Sequence, residues 1–272
     1  MIVPGTFILG LGAQKAGTTW LHRYLSKQHG FARGAMKEYH VWDAIYRTDD
    51  EAPLLEGSDT ADRETLRQRL IADPEHYFEH FAGFLNDGAI AADITPAYSA
   101  LPVEALERIR DGFRQRGILP KVVFLMRDPV ERCWSAARMY RRKGLNVAGL
   151  DPALDEPAYV SAYATSDHAL RRGRYDRTIE TVECIFPAED IHYGLYETAF
   201  EPGEIGRLST FLGVDASPDL ALDEYNVSPK QEGLPAGVRQ AVARAYAPTL
   251  SFCADRFPLT RALWESYALA ET

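Results

Sequence analysis

Residues 7–20 read FILGLGAQKAGTTW. The apolar run Phe7 to Leu11 is too short for a helix and has the composition of a strand buried on both faces. Two glycines follow, Gly12 and Gly17. Then come Thr18, Thr19 and a helical apolar stripe at Trp20, Leu21, Tyr24 and Leu25, with Gly30 placed to close the helix. A strand that turns through glycines into a helix is a setting in which backbone N–H groups and the helix dipole hold an anion. The nucleotide-triphosphate loop has the spacing G-x-x-x-x-G-K-[ST]. Here the glycines keep that spacing and Thr19 takes the Ser/Thr position. Thr18 stands where the lysine belongs, and the lysine comes three residues earlier, at Lys15. A lysine inside the turn can reach the oxygen that bridges a donor phosphate and the group being transferred. It would then neutralise the leaving phosphate as that bond breaks.

Three more apolar runs read as buried parallel strands: Ala89 to Ile94, Lys121 to Met126 and Ile191 to Tyr196. Helical patterns lie between them. Asp73-Pro74 starts one that runs to Asn86, Pro102 another with Val103, Leu106, Ile109 and Phe113 on one stripe, and Asp128-Pro129 a third. Asp167 caps a long helix to about Phe186, and a last long helix covers about Pro235 to Arg256. Strands alternating with helices predict an α/β fold: one P-loop-like domain over residues 1–272, with a central parallel sheet flanked by helices. Thr48 to Arg63 and Gly144 to Pro157, rich in Asp, Glu, Pro and Gly, read as surface loops. The second is long enough to serve as a lid or substrate-binding insert.

The chain has 272 residues, 46% hydrophobic and 25% charged, which are ordinary globular values. Its 30 basic and 39 acidic residues give a formal net charge of −9. A nucleic-acid partner is not expected from that balance, so any positive contacts to an anion must be local. No run of about 18 apolar residues predicts a membrane span. The N-terminal apolar stretch lacks the basic flank of a signal peptide. Three widely spaced cysteines, Cys133, Cys184 and Cys253, form no disulfide or metal pattern, and a reducing cytoplasm is the simplest compartment.

The second motif is KVVFLMRDPVERCWS, residues 121–135. A buried strand ends at Met126 and Arg127-Asp128-Pro129 turns into a helix. The C-terminal ends of parallel strands are where open α/β sheets bind ligands. Arg127 can there offer a bidentate fork to a phosphate. At 100° per residue Ser135 lies nearly opposite the stripe of Val130, Cys133, Trp134 and Ala137, free to face a ligand or water.

Together, GAQKAGTTW and RDPVERCWS resemble the PAPS-dependent sulfotransferases, whose donor is 3′-phosphoadenosine 5′-phosphosulfate. The likeness is closest to the carbohydrate branch, the heparan-sulfate-type enzymes and their bacterial relatives. It implies a phosphosulfate loop at residues 10–20, with Gln14, Lys15, Ala16, Gly17, Thr18, Thr19 and Trp20 on the nucleotide. It also implies a 3′-phosphate segment at 121–135, with Arg127 and Ser135 as the binding side chains. Residues 37–43, KEYHVWD, are similar to that branch's E-x-H-F-F-D stretch, whose glutamate is the proposed base. The match nominates Glu38, with His40 and Asp43 in support. A solvated glutamate titrates near ~4.3 and an imidazole near ~6.5, so on basicity alone His40 competes for the role. Residues 93–98, DITPAY, are similar to the family's E-K-T-P-x-Y and nominate Asp93, Tyr98 and Ser99 for the acceptor pocket. Ile94 replaces a lysine that serves polyanionic acceptors there. Tyr175 and Lys230 are further nucleotide candidates on the same likeness.

The resemblance implies a sulfotransferase that moves a sulfuryl group from PAPS to a hydroxyl or amine and releases PAP without a metal. A carbohydrate, a lipid head group or a small metabolite each fits a loop-built acceptor pocket. The rivals are a nucleotide kinase or NTPase, which would want a lysine at position 18, and a non-catalytic nucleotide-binding module. Arg138, Arg141, Arg142 and Lys143 read as a solvated helix face, and His76 and His80 as ordinary helix residues despite their i, i+4 spacing.

Overall fold

The structure, a computed structural model, describes residues 4–46, 60–85, 88–217 and 233–270. Four strands form the sheet: β1 (Thr6–Gly12), β2 (Ile90–Asp93), β3 (Leu119–Met126) and β4 (Ile191–Leu195). All pairings are parallel and the order is β2-β1-β3-β4. Their side chains are almost wholly buried, as expected where helices cover both faces. The four apolar runs are thus the four strands, to within two residues at each end.

The helices are α1 (Thr18–Ser26), α2 (Trp42–Tyr46), α3 (Thr60–Ala72), α4 (Pro74–Ala82), α5 (Val103–Arg114), α6 (Pro129–Arg142) and α7 (Glu156–Ala164). After them come α8 (Asp167–Gly173), α9 (Tyr175–Ile185), α10 (Pro202–Leu212), α11 (Ala236–Ala245), α12 (Ala247–Arg256), α13 (Thr260–Leu263) and α14 (Ser266–Ala270). Asp73 caps α4 through the Glu75 N–H, and Asp128 caps α6 through Val130 and Glu131, each with proline in the first turn. Phe7 of β1 stacks on Phe113 of α5 at 3.9 Å between centroids and meets Phe81 of α4 edge-on at 4.8 Å. A second apolar cluster joins α6, α7, α8 and α11 around Trp134, Tyr159, Tyr163 and Tyr246.

Several helix bounds differ from expectation. α1 ends at Ser26, four residues before Gly30. α4 ends at Ala82, and Asn86 lies outside the described residues, as does most of the expected loop from Thr48; Thr60 to Arg63 are already helical. The helix expected from Asp167 to Phe186 breaks at Arg174 (φ −82°, ψ 74°), and its first cap is Ser166. The break is held by tertiary bonds. Arg174 grips the Asp176 carboxylate, which also accepts from Thr249, and Gly173 packs so tightly on Tyr246 that a Cβ would sit 2.5 Å from the ring. The helix expected from Pro235 to Arg256 breaks at Tyr246, because Pro248 in the first turn of α12 cannot continue the ladder of α11. Nor is it the last: α13 and α14 follow. None of the described helices is long and apolar enough to cross a membrane.

The strand order places a switch point between β1 and β3. The chain leaves β1 toward β2 on one side, then returns past β1 to reach β3 on the other. Crevices at such points, beyond the carboxyl ends of the strands, are where open α/β sheets hold ligands. The residues directly after β1 and β3 are the two motifs, and those after β2 and β4 are Ile94–Ser99 and Tyr196–Glu197.

Candidate active site

The turn after β1 is a backbone construction. Gly12, Lys15 and Gly17 all have positive φ (116°, 68° and 98°). The Ala13 N–H bonds Leu125 O at 2.6 Å, and Ala16 N–H bonds back to Ala13 O at 3.1 Å. Gly17 is the N-cap of α1 in the left-handed region, and no side chain caps the first turn. The helix therefore presents its N-terminal amides to the crevice, with the positive end of its dipole. A Cβ on Gly17 would stand 3.3 Å from the Tyr196 ring, so a side chain there meets both backbone strain and a crowded neighbour. Gln14, Lys15, Gly17 and Thr19 are half-buried around the turn, and Ala16 and Thr18 are buried. The Gln14 amide donates to Tyr140 Oη at 2.7 Å, which ties the turn to α6. Trp20 is packed away from the crevice, stacked on Tyr24 at 5.6 Å and edge-on to Phe200 at 5.3 Å.

Arg127 meets this turn from β3. Its Nη1 donates to Lys15 O at 3.2 Å, its guanidinium lies 4.6 Å from the Tyr196 ring centroid, and Nη2 pairs with Glu131 at 3.4 Å. Three elements brace the arginine's own backbone. Tyr175 Oη donates to Arg127 O at 2.8 Å, and Asp128 N–H donates to Glu197 at 2.9 Å. The Asp128 carboxylate accepts from both N–H and hydroxyl of Ser266 in α14. Tyr175 is thus fully buried behind the arginine, with its hydroxyl engaged by that carbonyl. Ser135 is half-buried on α6. Arg142 lies seven residues further on, within about 20° of the same helix face.

Lys15 is the electrostatic centre. Burial lowers its ammonium to about 8, and Arg142, Arg127, Lys37 and Lys143 press it in the same direction. That alters the reading of the basic cluster on α6. Arg138 and Arg141 do pair with Glu156, at 3.7 and 3.5 Å, but Arg142 and Lys143 lie within the field of Lys15. Cations gathered this closely are unfavourable until an anion joins them.

The segment over residues 37–43 is a chain of side chains. The Lys37 ammonium donates to Thr18 Oγ1 at 3.3 Å and pairs with Glu38 Oε1. Glu38 Oε2 meets His40 Nε2 at 3.3 Å, and His40 Nδ1 meets Asp43 Oδ2 at 2.6 Å. Burial alone would raise the Glu38 carboxyl, but Lys37 and His40 bring it down to about 2. His40 is the converse: burial would lower it, and the Asp43 and Glu38 carboxylates carry it up to about 10. At neutral pH this is a carboxylate–imidazolium–carboxylate chain. Asp43 is buried at its inner end.

Beneath it Asp93 is completely buried and accepts from Thr95 Oγ1 (2.6 Å), Tyr98 Oη (2.9 Å), Tyr77 Oη (3.0 Å) and Tyr39 N–H (3.3 Å). Burial raises its carboxyl to about 6 against the opposing pull of those bonds. Tyr98 Oη in turn accepts from Val41 N–H at 3.1 Å. Asp93, Tyr98 and Ser99 are all buried; Asp93 and Tyr98 brace the 37–43 segment, and Ser99 Oγ donates to Pro96 O at 3.0 Å. Lys230 lies outside the described residues. His76 and His80 face different partners, Asp73 and Tyr39.

Sequence reading gave no role to Tyr196, Tyr140 or His22, and took Lys37 only as a charge able to lower Glu38. His22 is lowered to about 4 by burial, with Lys37 and Arg33 adding to it, and so adds a neutral imidazole near Glu38. Tyr196 was the most accessible of these to prediction, since it directly follows β4 at the ligand edge of the sheet.

No protein-family model matches the chain, and no curated protein matches it. Among solved structures it is similar to a sulfotransferase from Alicyclobacillus acidocaldarius, at 20% identity and a TM-score of 0.64, over 94% of this chain and 96% of that one. The sulfotransferase domain from the curacin biosynthetic pathway matches at 16% identity and TM-score 0.49, over 84% and 81%. Sulfotransferase STF9 from Mycobacterium avium matches at 13% and 0.49, over 93% and 77%. The first likeness spans nearly all of both chains: the four-stranded parallel sheet with its flanking helices is the fold of that solved sulfotransferase.

Proposed function

We propose that this protein transfers a sulfuryl group from PAPS to a hydroxyl or amine of a carbohydrate, lipid or small-molecule acceptor and releases PAP. The observation that carries this reading is the bond from Arg127 Nη1 to Lys15 O. It joins two anion-binding residues 112 positions apart at the switch point of the sheet. A nucleotide with phosphates at both its 3′ and 5′ positions needs two such groups. A lysine displaced into the turn suits a sulfuryl donor better than a triphosphate, because it can reach the bridging oxygen.

In the reaction the acceptor oxygen or nitrogen forms a bond to sulfur. The S–O bond to the 5′-phosphate breaks, and its electron pair stays on PAP. Lys15 and the first-turn amides of α1 meet that growing charge without reorganising. The acceptor's proton goes to Glu38. His40 cannot take it while both ring nitrogens are bound to carboxylates and the ring is already protonated. Its role is to hold Glu38 in place. Arg127 and Ser135 take the 3′-phosphate, Arg127 exchanging Glu131 for the ligand. Orientation supplies much of the remaining rate, since a held acceptor and donor react as one molecule.

Calorimetry with PAP, AMP and ATP plus magnesium tests the reading. PAP binds, and AMP binds at least ~10-fold more weakly, the usual worth of a charge-assisted hydrogen bond such as one to a 3′-phosphate. Binding of ATP plus magnesium in preference to PAP would overturn the assignment.

A further inference from the structure

We infer that Lys37 is a catalytic residue of this site, its ammonium holding an oxygen of the sulfuryl group as that group passes from the donor turn to the acceptor. This rests on the sulfotransfer reading above. Lys37 bridges the two halves of the site. Nζ contacts Thr18 Oγ1, in the first turn of α1, and the carboxylate of Glu38. The transferring group must pass between the donor turn and the base, and Lys37 already occupies that interval.

Its position is fixed from below. Lys37 O accepts from Ile94 N–H at 3.0 Å, directly after β2, and the next N–H but one, that of Tyr39, is held by Thr95 and Asp93. The side chain is only 20% exposed, so its charge acts through a medium less polarisable than water. An ordinary ion pair between sequence neighbours would be worth little and could point anywhere. This one points its ammonium at the helix N-terminus that also faces Lys15, close enough for the two cations to oppose each other. That arrangement is unfavourable alone and favourable around an anion.

Lys37 also links donor arrival to base strength. In the free protein its charge keeps Glu38 a weak base. When a sulfuryl oxygen shares the ammonium, the hold on Glu38 weakens and the carboxylate becomes a better proton acceptor. As the acceptor–sulfur bond forms and the S–O bond to PAP breaks, the acceptor's proton neutralises Glu38. Lys37 is then left to the sulfate ester's oxygens, while the electron pair stays on the PAP oxygen, whose charge Lys15 stabilises.

The test compares PAP with PAPS, so that no acceptor need be known. Calorimetry on the wild type, Lys37→Met and Lys37→Arg at neutral pH is expected to give equal PAP affinity in all three. PAPS affinity falls at least ~10-fold in Lys37→Met, as for a lost hydrogen bond to a charged group, and largely returns in Lys37→Arg. Retained PAP binding shows that each variant is folded. Equal losses for PAP and PAPS, or no loss for either, would overturn the role of Lys37 and leave the sulfotransfer reading intact. Wild-type protein that binds neither nucleotide would overturn both.

Discussion

The turn after β1 and the segment over residues 37–43 lie at the same edge of the sheet and are built in opposite ways. In the first, backbone bonds backbone: positive φ at Gly12, Lys15 and Gly17 aims amides into the crevice, and the Ala13 and Ala16 amides close on carbonyls. Its functional side chains stand half-buried on a frame that does not need them. In the second, side chains bond side chains, from Lys37 through Glu38 and His40 to Asp43, over a floor where Asp93 accepts four hydrogen bonds. On the proposed function, one chemistry explains both. A phosphate is bound by any ring of N–H donors, so a main-chain cradle suffices. An acid–base pair needs particular groups held at fixed distances, so it needs a network.

The largest expected effect separates frame from function at the donor end. Lys15→Ala lowers turnover with PAPS by at least ~100-fold, the scale of a lost charge-stabilising donor. Because no backbone bond of the turn uses the ammonium, and burial and neighbouring cations oppose its charge, the thermal midpoint does not fall. A matching fall in the midpoint would show that the turn depends on its side chains after all.

Beneath the 37–43 segment the same kind of change strikes the fold. Asp93→Asn keeps the shape but turns an acceptor oxygen into a donor facing the Tyr77 and Tyr98 hydroxyls. Leaving such buried groups mismatched costs about 1–3 kcal/mol. The loss is read in denaturant unfolding, with PAP affinity unchanged in the folded protein. A stable Asp93→Asn protein would mean that the floor is not what holds 37–43.

This contrast also explains what the residues reveal before folding. The turn after β1 is nine contiguous residues whose glycines and lysine carry their own geometry, and the strands around it are apolar runs with clear ends. Arg127 was legible because a strand end and Asp128-Pro129 flank it. The inward bonds of Asp93, Tyr98 and Tyr175 were not legible: each is polar, near a strand end or a motif, and each spends its polar atoms inward. Nothing local distinguishes a tyrosine that lines a pocket from one whose hydroxyl takes the Val41 N–H or reaches Arg127 O. The break at Arg174 escaped for the same reason, since Asp176 is held there by Thr249 from a distant helix, whereas the break at Tyr246 was legible in Pro248 and was passed over. In the sequence Lys37 is a mere neighbour of Glu38, and its contact with Thr18 exists only in the fold.

The smallest effect is one of pH, and it falls on one end only. Glu38 at about 2 and His40 at about 10 keep the acceptor chain in one charge state across the neutral range. Lys15, at about 8, does not stay fixed. Its folded-state value is depressed, so the free protein loses the ammonium's charge as pH rises through about 8. A bound anion favours the charged form and raises the value again. PAP binding is therefore expected to take up little proton at pH 7 and about one proton per site at pH 9, with affinity declining above pH 8. Calorimetry in buffers of different ionisation enthalpy reads that uptake directly. Lys15→Met should abolish the difference between the two pH values. If the variant keeps it, the proton belongs to another group, and the cations around Lys15 are not gathered for the nucleotide.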